Sequence, residues 1–303
     1  MKILVTGGGG QVGTEFQRLP WSQSVDVCAP HRSELNLTDP ERLQDFVLQG
    51  RFDAVINLAA YTAVDNAEHD IVNAWRVNAL AVAALAEATK RAEVPLVHVS
   101  TDYVFNGSNC TPYKEDDSLK PLGVYGASKA GGEQALRTAN ARHVILRTAW
   151  LFSPFGGNFV KTMLRLAAER PVLRVVDDQI GCPTSAKDVA AALAIITRRL
   201  IEDKGAPTGT YHFVNSGEAS WCAFAREIFR QSADAGSRVP TVEAISTQDY
   251  PTPAVRPAYS CLSTEKITRD FGIVPRAWQE ALTETIAQLH ANARTRIEGK
   301  RKT

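Results

Sequence analysis

The residues best suited to acid–base chemistry are Tyr125 and Lys129, which lie four positions apart in VYGASKAGGE. Side chains at i and i+4 share one face of a helix, about one turn apart. A nearby ammonium lowers the pKa of a phenol, whose reference value is near 10. The phenol then becomes a usable general acid at neutral pH. The alternative interpretation is an exposed helix start with an incidental lysine, because this spacing often arises by chance.

Polar residues end the apolar run that precedes this helix. In PLVHVSTDYVF, Ser100, Thr101 and Asp102 follow a predicted buried strand. Hydroxyls at the carboxyl end of a strand can donate a hydrogen bond to a substrate carbonyl. The alternative is that they cap the following turn.

A glycine-rich loop opens the chain, in KILVTGGGGQVGTE. Strand, tight turn and helix in this order predict a dinucleotide-binding loop. Glycine lets the backbone approach a pyrophosphate, and the first N–H groups of the helix attract it. Two frames fit the spacing, one formed by Gly8, Gly10 and Gly13 and the other by Gly7, Gly10 and Gly13.

The end of the second predicted strand favours NADPH over NADH. NAD enzymes usually have an acid there for the ribose hydroxyls, whereas an arginine suits the 2′-phosphate of NADP. Here VDVCA leads into Pro30, His31 and Arg32. Asp26 comes too early and Glu34 lies beyond the turn. Arg32 as an ordinary surface residue is the competing view, and NADH remains an alternative cofactor.

The elements that position these residues alternate along the first half of the chain. Short apolar runs, typical of buried parallel strands, are KILVT, VDVCA, DAVINLA, PLVHVS and HVILRT. Helical patterns between them are clearest in DIVNAWRVNALAVAALAEATKRAE and VYGASKAGGEQALRTAN. The alternation predicts an α/β fold with a Rossmann-type, doubly wound parallel sheet.

The second half predicts a smaller α/β C-terminal substrate-binding lobe. We expect a dinucleotide-binding domain over 1–150, completed by parts of 173–215, and a lobe formed mainly by 151–303. Helices are predicted over GNFVKTMLRLAAERP, SAKDVAAALAIITRRLIEDKG, SWCAFAREIFRQSADAG, 263–271 and 277–292, strands over VLRVVDD and GTYHFVN, and a proline-rich loop over QDYPTPAVRPAYSCLST. A flexible basic tail is expected from about residue 292.

Composition excludes several classes of function. The net charge of +1 argues against nucleic acid and anionic membranes as partners. The five cysteines form no C-x-x-C pair, which argues against zinc and fits a reducing cytoplasm. No apolar stretch is long enough for a membrane span, and ILVTGGGG does not resemble a signal peptide.

Taken together, these motifs resemble the extended short-chain dehydrogenase/reductases. They are Thr6-Gly7-x-x-Gly10-x-x-Gly13, a hydroxyl at a strand end, and Tyr-x-x-x-Lys. Within that group the chain is similar to the dTDP-4-dehydrorhamnose reductases, from residue 1 to about 290. The segments that carry the similarity are GQVGTE, NLAAYTAVDNAE, VSTDYVFNG, VYGASKAGGE, RTAWLF, NFVKTMLRLA, DDQIGCPT and RPAYSCLSTEKI. The resemblance selects the frame Gly7, Gly10 and Gly13, with Gly8 and Gly9 as loop filler.

The resemblance implies a cofactor site. The pyrophosphate would be held by Gly7, Gly10, Gln11, Val12 and Gly13, the adenine would lie near Asn36 and Leu37, and the cleft would be lined by Ala60, Tyr61 and Thr62. Lys129 would hold the nicotinamide ribose and tune Tyr125.

The resemblance also implies a reaction, the reduction of the C4 keto group of dTDP-4-dehydro-L-rhamnose to dTDP-L-rhamnose. Thr101 would bond the C4 carbonyl, with Asp102 beside it, and Tyr125 would donate the proton. Trp150 would pack against the sugar. Arg256 is a candidate partner for the diphosphate of the substrate, since a guanidinium binds phosphate bidentately.

The chain departs from the family at a metal site. Some members are described as dimers bridged by magnesium through glutamates, and Glu15 matches one of these. The resemblance implies an acid within GCPTSAKDVA, but that position is Lys187, and Asp188 follows it. A cation there repels a metal, so we expect no bridging magnesium, and both monomer and homodimer stay open.

Other functions share the fold. A nucleotide-sugar 4,6-dehydratase needs a second acid where Tyr103 follows Asp102, and a 4-epimerase usually retains NAD. A reductase for another nucleotide-linked deoxysugar differs only in stereochemistry, which the pattern leaves open. A non-catalytic, NADP-binding regulatory subunit would not need Thr101, Tyr125 and Lys129, and all three are present.

Overall fold

A sheet of six parallel strands forms the centre of the computed structural model, which describes residues 1–233 and 238–301, the last nine of these by their backbone alone. The strands are β1 Lys2–Thr6, β2 Asp26–Cys28, β3 Ala54–Asn57, β4 Leu96–Thr101, β5 His143–Thr148, β6 Leu151–Phe152, β7 Val172–Val176, β8 Ile180–Gly181, β9 Thr184–Ser185, β10 Gly209–His212, β11 Ala219–Ser220 and β12 Thr241–Ile245. The central sheet has the order β10-β5-β4-β3-β1-β2. The predicted α/β fold with a doubly wound parallel sheet is therefore confirmed.

Helices cover both faces of the sheet, which explains why its strands are continuous apolar runs. They are α1 Gln11–Gln17, α2 Pro40–Gly50, α3 Val64–Ala67, α4 Ile71–Trp75, α5 Ala81–Arg91, α6 Val124–Ala139, α7 Phe159–Glu169, α8 Ala186–Glu202, α9 Trp221–Ala233, α10 Glu265–Phe271 and α11 Trp278–Arg301. One core cluster joins α1 and α8 to the sheet, and a second joins α2 and α5 to it. Among the described residues, no helix is both long and apolar enough to cross a membrane.

The helix predicted over DIVNAWRVNALAVAALAEATKRAE is interrupted by a π-helical turn, Arg76–Leu80. Asn78, in this turn, is 1% exposed. Its side chain binds the backbone N–H and C=O of Tyr61 and the hydroxyl of Ser128, at 2.8, 3.1 and 3.0 Å. The turn thus carries an amide that connects the loop after β3 to α6.

The second half of the chain builds three two-stranded sheets, β7 with β12, β8 with β11 and β6 with β9. Helices α7, α9 and α11 enclose a separate apolar cluster with β7. Strand β10 instead pairs with β5 in the central sheet. The division into domains stays a proposal.

Some predicted boundaries differ from the structure. Helix α8 ends at Glu202 and not at Gly205, and Asp203 accepts the Gly205 N–H at 2.8 Å. The start of the predicted loop forms part of a short 3-10 turn, Thr247–Asp249. Helix α11 extends to Arg301, beyond the predicted end at residue 292. We also predicted that the basic tail is flexible. That prediction lies outside the described residues, because it depends on the side chains from 293 onward and on residues 302–303.

A buried ion pair fixes α6 against β5. Arg147 binds Glu133 bidentately at 2.9 and 2.7 Å, and the two side chains are 1% and 0% exposed. Burial raises the pKa of Glu133, but the hydrogen bonds and charge of Arg147 outweigh burial and hold that pKa below its ordinary value. A buried charge is costly unless it is paired, so each residue requires the other.

Removing one partner should therefore destabilise the fold. We expect Glu133→Leu to lower the free energy of unfolding by about 3–5 kcal/mol, because Arg147 stays buried without its counter-ion. As a control, Glu169→Ala breaks an exposed pair with Arg165 and should cost no more than about 0.5 kcal/mol. Urea denaturation measures both. Equal losses in the two variants would contradict this account.

Candidate active site

Gly7 and Gly13, in the glycine loop between β1 and α1, are packed against backbone atoms. Gly7 has φ +74°, and a Cβ there would lie 2.6 Å from the backbone nitrogen of Ala59. A Cβ on Gly13 would lie 2.5 Å from the Gly7 carbonyl oxygen. The Gly10 N–H donates to the same oxygen at 3.0 Å. Close contacts among Gly7, Gly10 and Gly13 therefore fix the backbone conformation of the loop.

The two remaining glycines differ from each other. A Cβ on Gly9 would meet no atom within 4 Å, as loop filler should. A Cβ on Gly8, however, would lie 2.8 Å from the Cβ of Ala29, which follows β2. The prediction that Gly8 is filler is thus wrong, because the contact comes from another strand end.

A cavity of about 820 Å³ begins at this loop and extends over the carboxyl ends of β1, β2 and β3. In open α/β sheets, ligands bind outside these ends where the strand order reverses, here between β1 and β3. The predicted cofactor residues that line the cavity are Gly7, Gly10, Arg32, Asn36, Leu37, Ala60, Tyr61 and Thr62. Both its size and its glycine floor suit a dinucleotide.

The region predicted to select the cofactor has an exposed cation. Arg32 is exposed and lines the cavity. The carboxylate of Glu34 accepts the His31 N–H at 2.7 Å. Asn36 uses its side-chain oxygen to accept from Thr38. The carboxylate of Glu34 thus binds the backbone of its own turn, whereas Arg32 lines the cavity.

Two predicted pyrophosphate residues have other contacts. Val12 is 6% exposed and its side chain belongs to the core between α1 and the sheet. Gln11 accepts a hydrogen bond from the amide of Asn158 at 2.9 Å, and Asn158 also caps α7. Gln11 therefore connects the glycine loop to the C-terminal half.

The predicted catalytic hydroxyls lie together where β4 ends. Thr101 donates to Asp102 Oδ1 at 3.0 Å and caps a 3-10 turn by accepting from the Tyr103 N–H. Burial raises the pKa of Asp102 to about 6. The nearby hydroxyls of Ser260 and Thr101 oppose this rise of the pKa, but the buried Oδ2 has no well-oriented hydrogen bond from the described residues. A buried orphan acceptor is uncommon, and a ligand hydroxyl could satisfy it.

Tyr125 lies next to Thr101, but its acidity is not as predicted. Burial raises the pKa of Tyr125 to about 12; a hydrogen bond with Thr101 opposes this shift, and the charge of Asp102 adds to it. Lys129 was expected to lower this pKa. Instead, its Nζ lies 2.7 Å from the Val99 carbonyl and 3.2 Å from His98 Nε2.

Lys129 is itself perturbed. It is 2% exposed, and burial lowers its pKa to about 8, although the charge of Glu133 opposes the shift. His98 in turn contacts the amide of Asn57, which accepts from Thr6. The lysine therefore ends a chain of buried polar residues.

Trp150, predicted to pack against a sugar, follows β5 in an unusual conformation with φ +47°. Its indole stacks on Trp221, with ring centroids 3.4 Å apart and planes 6° apart. A Cβ on Gly181 would lie 2.4 Å from the indole. One face of Trp150 is thus covered by a residue from α9.

Arg256, predicted to bind phosphate, forms a bidentate pair with Asp65 at 3.1 and 2.9 Å. It also donates to Thr252. The pair connects the C-terminal loop to α3, which follows the cavity-lining residue Thr62 in the chain. A phosphate could therefore bind Arg256 only by sharing it with Asp65 or by displacing Asp65.

The residues considered for magnesium have protein partners. Glu15 is 8% exposed and accepts from Ser153 at 2.8 Å. Lys187 pairs with Glu284, and Asp188 pairs with Arg276. Within the described part of the chain, no three His, Cys, Asp or Glu residues are grouped to hold a metal.

Three further site residues, Asn57, Asn78 and His98, were not predicted from the sequence. Each is nearly fully buried among these site residues. The available signal was a polar residue inside an apolar run, as in VINLA and LVHVS. Buried polar groups require partners, so such positions indicate a built network.

Comparison with known proteins identifies one family. The family model described as "RmlD substrate binding domain" matches residues 1–291. A dTDP-4-dehydrorhamnose reductase from Aggregatibacter actinomycetemcomitans is 45% identical over 93% of this chain and 97% of its own length.

Solved structures agree with this comparison. A dTDP-4-dehydrorhamnose reductase from Clostridium acetobutylicum has a TM-score of 0.89 and 37% identity, covering 95% of this chain and 99% of that one. The enzyme of the same name from Bacillus anthracis, in complex with NADP, has a TM-score of 0.87 and 34% identity over the same shares.

The glycine contacts predict which substitutions abolish dinucleotide binding. Gly7→Ala and Gly13→Ala should weaken NADPH binding by more than about tenfold, because the new methyl group collides with backbone. Gly9→Ala, with open space around it, should retain the affinity of the unchanged chain. Fluorescence titration measures the Kd, and thermal melting shows whether each variant is folded. A folded Gly13→Ala variant that binds as well as Gly9→Ala would refute the loop geometry.

Proposed function

The chain belongs to the dTDP-4-dehydrorhamnose reductase family, and from this premise we propose that it reduces the C4 keto group of dTDP-4-dehydro-L-rhamnose to dTDP-L-rhamnose. It is an oxidoreductase, and NADP is its cofactor. NADPH, when bound, supplies the hydride that C4 accepts.

One observation carries the proposal. Thr101, Asp102 and Tyr125 meet at the end of β4, and buried Lys129 lies one turn after Tyr125 on α6. As C4 accepts hydride, negative charge builds on its oxygen. The hydroxyls of Thr101 and Tyr125 stabilise that charge by donating hydrogen bonds to it.

Tyr125 completes the reaction by giving its phenolic proton to this oxygen. A pKa of about 12 keeps the phenol protonated at neutral pH, and an alkoxide is still the stronger base. Lys129, whose Nζ is held by Val99 and His98, would bind the nicotinamide ribose through its remaining N–H donor. Asp102 Oδ2 accepts a hydrogen bond from a sugar hydroxyl.

The surrounding residues support a nucleotide-linked substrate. Trp150 provides an apolar surface for the deoxysugar. Arg256, now paired with Asp65, binds the diphosphate and holds the C-terminal loop over it. The five cysteines are free thiols, which supports the cytoplasmic location that we propose.

The role of Tyr125 is tested with dTDP-4-dehydro-L-rhamnose and NADPH, by the loss of nicotinamide absorbance. Tyr125→Phe should lower kcat by a factor on the order of 10²–10⁴, while the Kd for NADPH stays unchanged. Tyr211→Phe is the matched control, since it removes a tyrosine hydroxyl bound to Asp270 on the far edge of the sheet. Full activity of Tyr125→Phe would exclude it as the proton donor. An inactive parent enzyme would favour another deoxysugar or the regulatory function.

Arg32 should determine the preference for NADPH. Arg32→Ala should lower kcat/KM for NADPH roughly tenfold or more, through loss of charge-assisted hydrogen bonds to the 2′-phosphate. The kcat/KM for NADH, which has no 2′-phosphate, should remain unchanged. Arg198→Ala, which removes an exposed arginine of α8, is the control. Equal losses with both cofactors would contradict a phosphate contact.

A further inference from the structure

A row of buried polar side chains crosses three neighbouring strands, from the last residues of β1 and β3 to the middle of β4. Thr6 on β1 is directly opposite Asn57 on β3, which is directly opposite His98 on β4. Their exposed fractions are 3%, 1% and 0%. Thr6 Oγ1 lies 2.6 Å from the Asn57 amide, and the amide lies 3.0 Å from His98 Nδ1. The other imidazole nitrogen reaches Lys129 Nζ at 3.2 Å.

The ammonium of Lys129 has three N–H donors. One is directed to the Val99 carbonyl at 2.7 Å and one to His98 Nε2. Throughout the described chain, the third has no protein acceptor. Two fixed donors thus determine the direction of the third, which is the one available to a ribose hydroxyl.

His98 limits the charge state of Lys129. Burial and the charge of Lys129 hold the pKa of His98 well below its ordinary value, so the imidazole is neutral and carries one proton. An ammonium can only donate. Ionised Lys129 therefore requires a bare Nε2, with the proton of His98 on Nδ1.

The Asn57 amide has to match that tautomer. Its NH₂ group lies against Nδ1 in the structure, which suits a bare Nδ1 and an Nε2–H that donates to a neutral Lys129 amine. With the amide turned over, its oxygen accepts from Nδ1–H and its NH₂ donates to Thr6. The two ends of an amide are nearly the same in shape. The row thus has two consistent hydrogen-bond directions, one for each charge state of Lys129.

We propose that Asn57 and His98 are positioning residues for Lys129. The orientation of the Asn57 amide selects the tautomer of His98, and that tautomer determines the charge state and the direction of the Lys129 side chain. This rests on the proposed function for the role of Lys129. Thr6 lines the cofactor cavity and precedes Gly7, so the row connects the nucleotide loop to the lysine.

The titratable groups that face Lys129 are His98 from β4 and Glu133 from α6. Glu133 raises the pKa of Lys129, and burial lowers that pKa to about 8. Because Arg147 and Arg137 already bind Glu133, its carboxylate stays ionised across the neutral range. The tautomer of His98 is then the variable that Asn57 controls.

Two substitutions of Asn57, which does not touch Lys129, should shift the pKa of Lys129 in opposite directions. Asn57→Asp can only accept from Nδ1–H, so Nε2 stays bare and the pKa should rise by about one unit. Asn57→Leu leaves no acceptor for Nδ1–H, so the proton moves to Nε2 and the pKa should fall by about one unit. A purely structural role would lower stability in both variants without opposite shifts.

The ε-carbon resonance of isotopically labelled lysine reports this pKa in the full chain. The Lys129 signal is assigned by its loss in Lys129→Arg, and exposed Lys204 is the internal control. A direct effect of the new carboxylate charge is separated by repeating Asn57→Asp in a His98→Phe background, where most of the upward shift should vanish. If Asn57→Leu fails to fold, the comparison of Asn57→Asp with and without His98→Phe still tests the proposal. Shifts in the same direction, no shift, or a full shift without His98 would overturn the proposal.

The pH dependence of kcat/KM separates this proposal from the proposed function. The limb assigned to Lys129 should move with the resonance in each Asn57 variant. If the resonance shifts as expected in a chain that does not reduce the sugar, the positioning role stands and the proposed substrate fails. If the chain reduces the sugar but neither variant shifts the resonance, the positioning role fails alone.

Discussion

The central sheet is buried on both faces, and this constraint governs the whole site. Water cannot reach the strand ends from either face, so each polar group there needs a protein partner or a ligand. Thr6, Asn57 and His98 meet this requirement by binding one another across three strands. Arg147 and Glu133 meet it by forming a bidentate pair one strand further along. Asp102 Oδ2 is left without such a partner at the position where we propose that the substrate binds.

Parallel strands bring distant segments to one edge. The loops after β1, β3, β4 and β5 are far apart in the sequence, yet all leave the sheet on the same side. Gly7 packs against Ala59 because β1 and β3 are neighbours where the strand order reverses. The cavity follows from this reversal, since the following segments diverge to opposite faces. A nucleotide loop and an acid–base group therefore share one edge without being adjacent in the chain.

Three polar contacts hold the C-terminal half against this edge. Gln11 binds Asn158, Glu15 binds Ser153, and Arg256 binds Asp65. In each, a residue near the proposed cofactor site binds one from the second half of the chain. Glu15, a metal-ligand candidate by resemblance, serves here as a hydrogen-bond acceptor. Arg256 holds the C-terminal loop through its ion pair with Asp65. A phosphate that competes for the guanidinium would replace Asp65 in this pair.

Local patterns in the sequence determined the six strands of the central sheet, most helices and the pairing of Tyr125 with Lys129 on one helix. These follow from backbone sterics and burial, which the order of residue types records directly. The orientation of Lys129 toward His98, the raised pKa of Tyr125, the packing of Gly8 on Ala29 and the pairing of Arg256 with Asp65 were decided by the tertiary structure. Each depends on which distant residue becomes a neighbour, and on how much water that neighbour excludes. A one-dimensional pattern contains neither quantity, because strand order and burial arise only when the chain is folded.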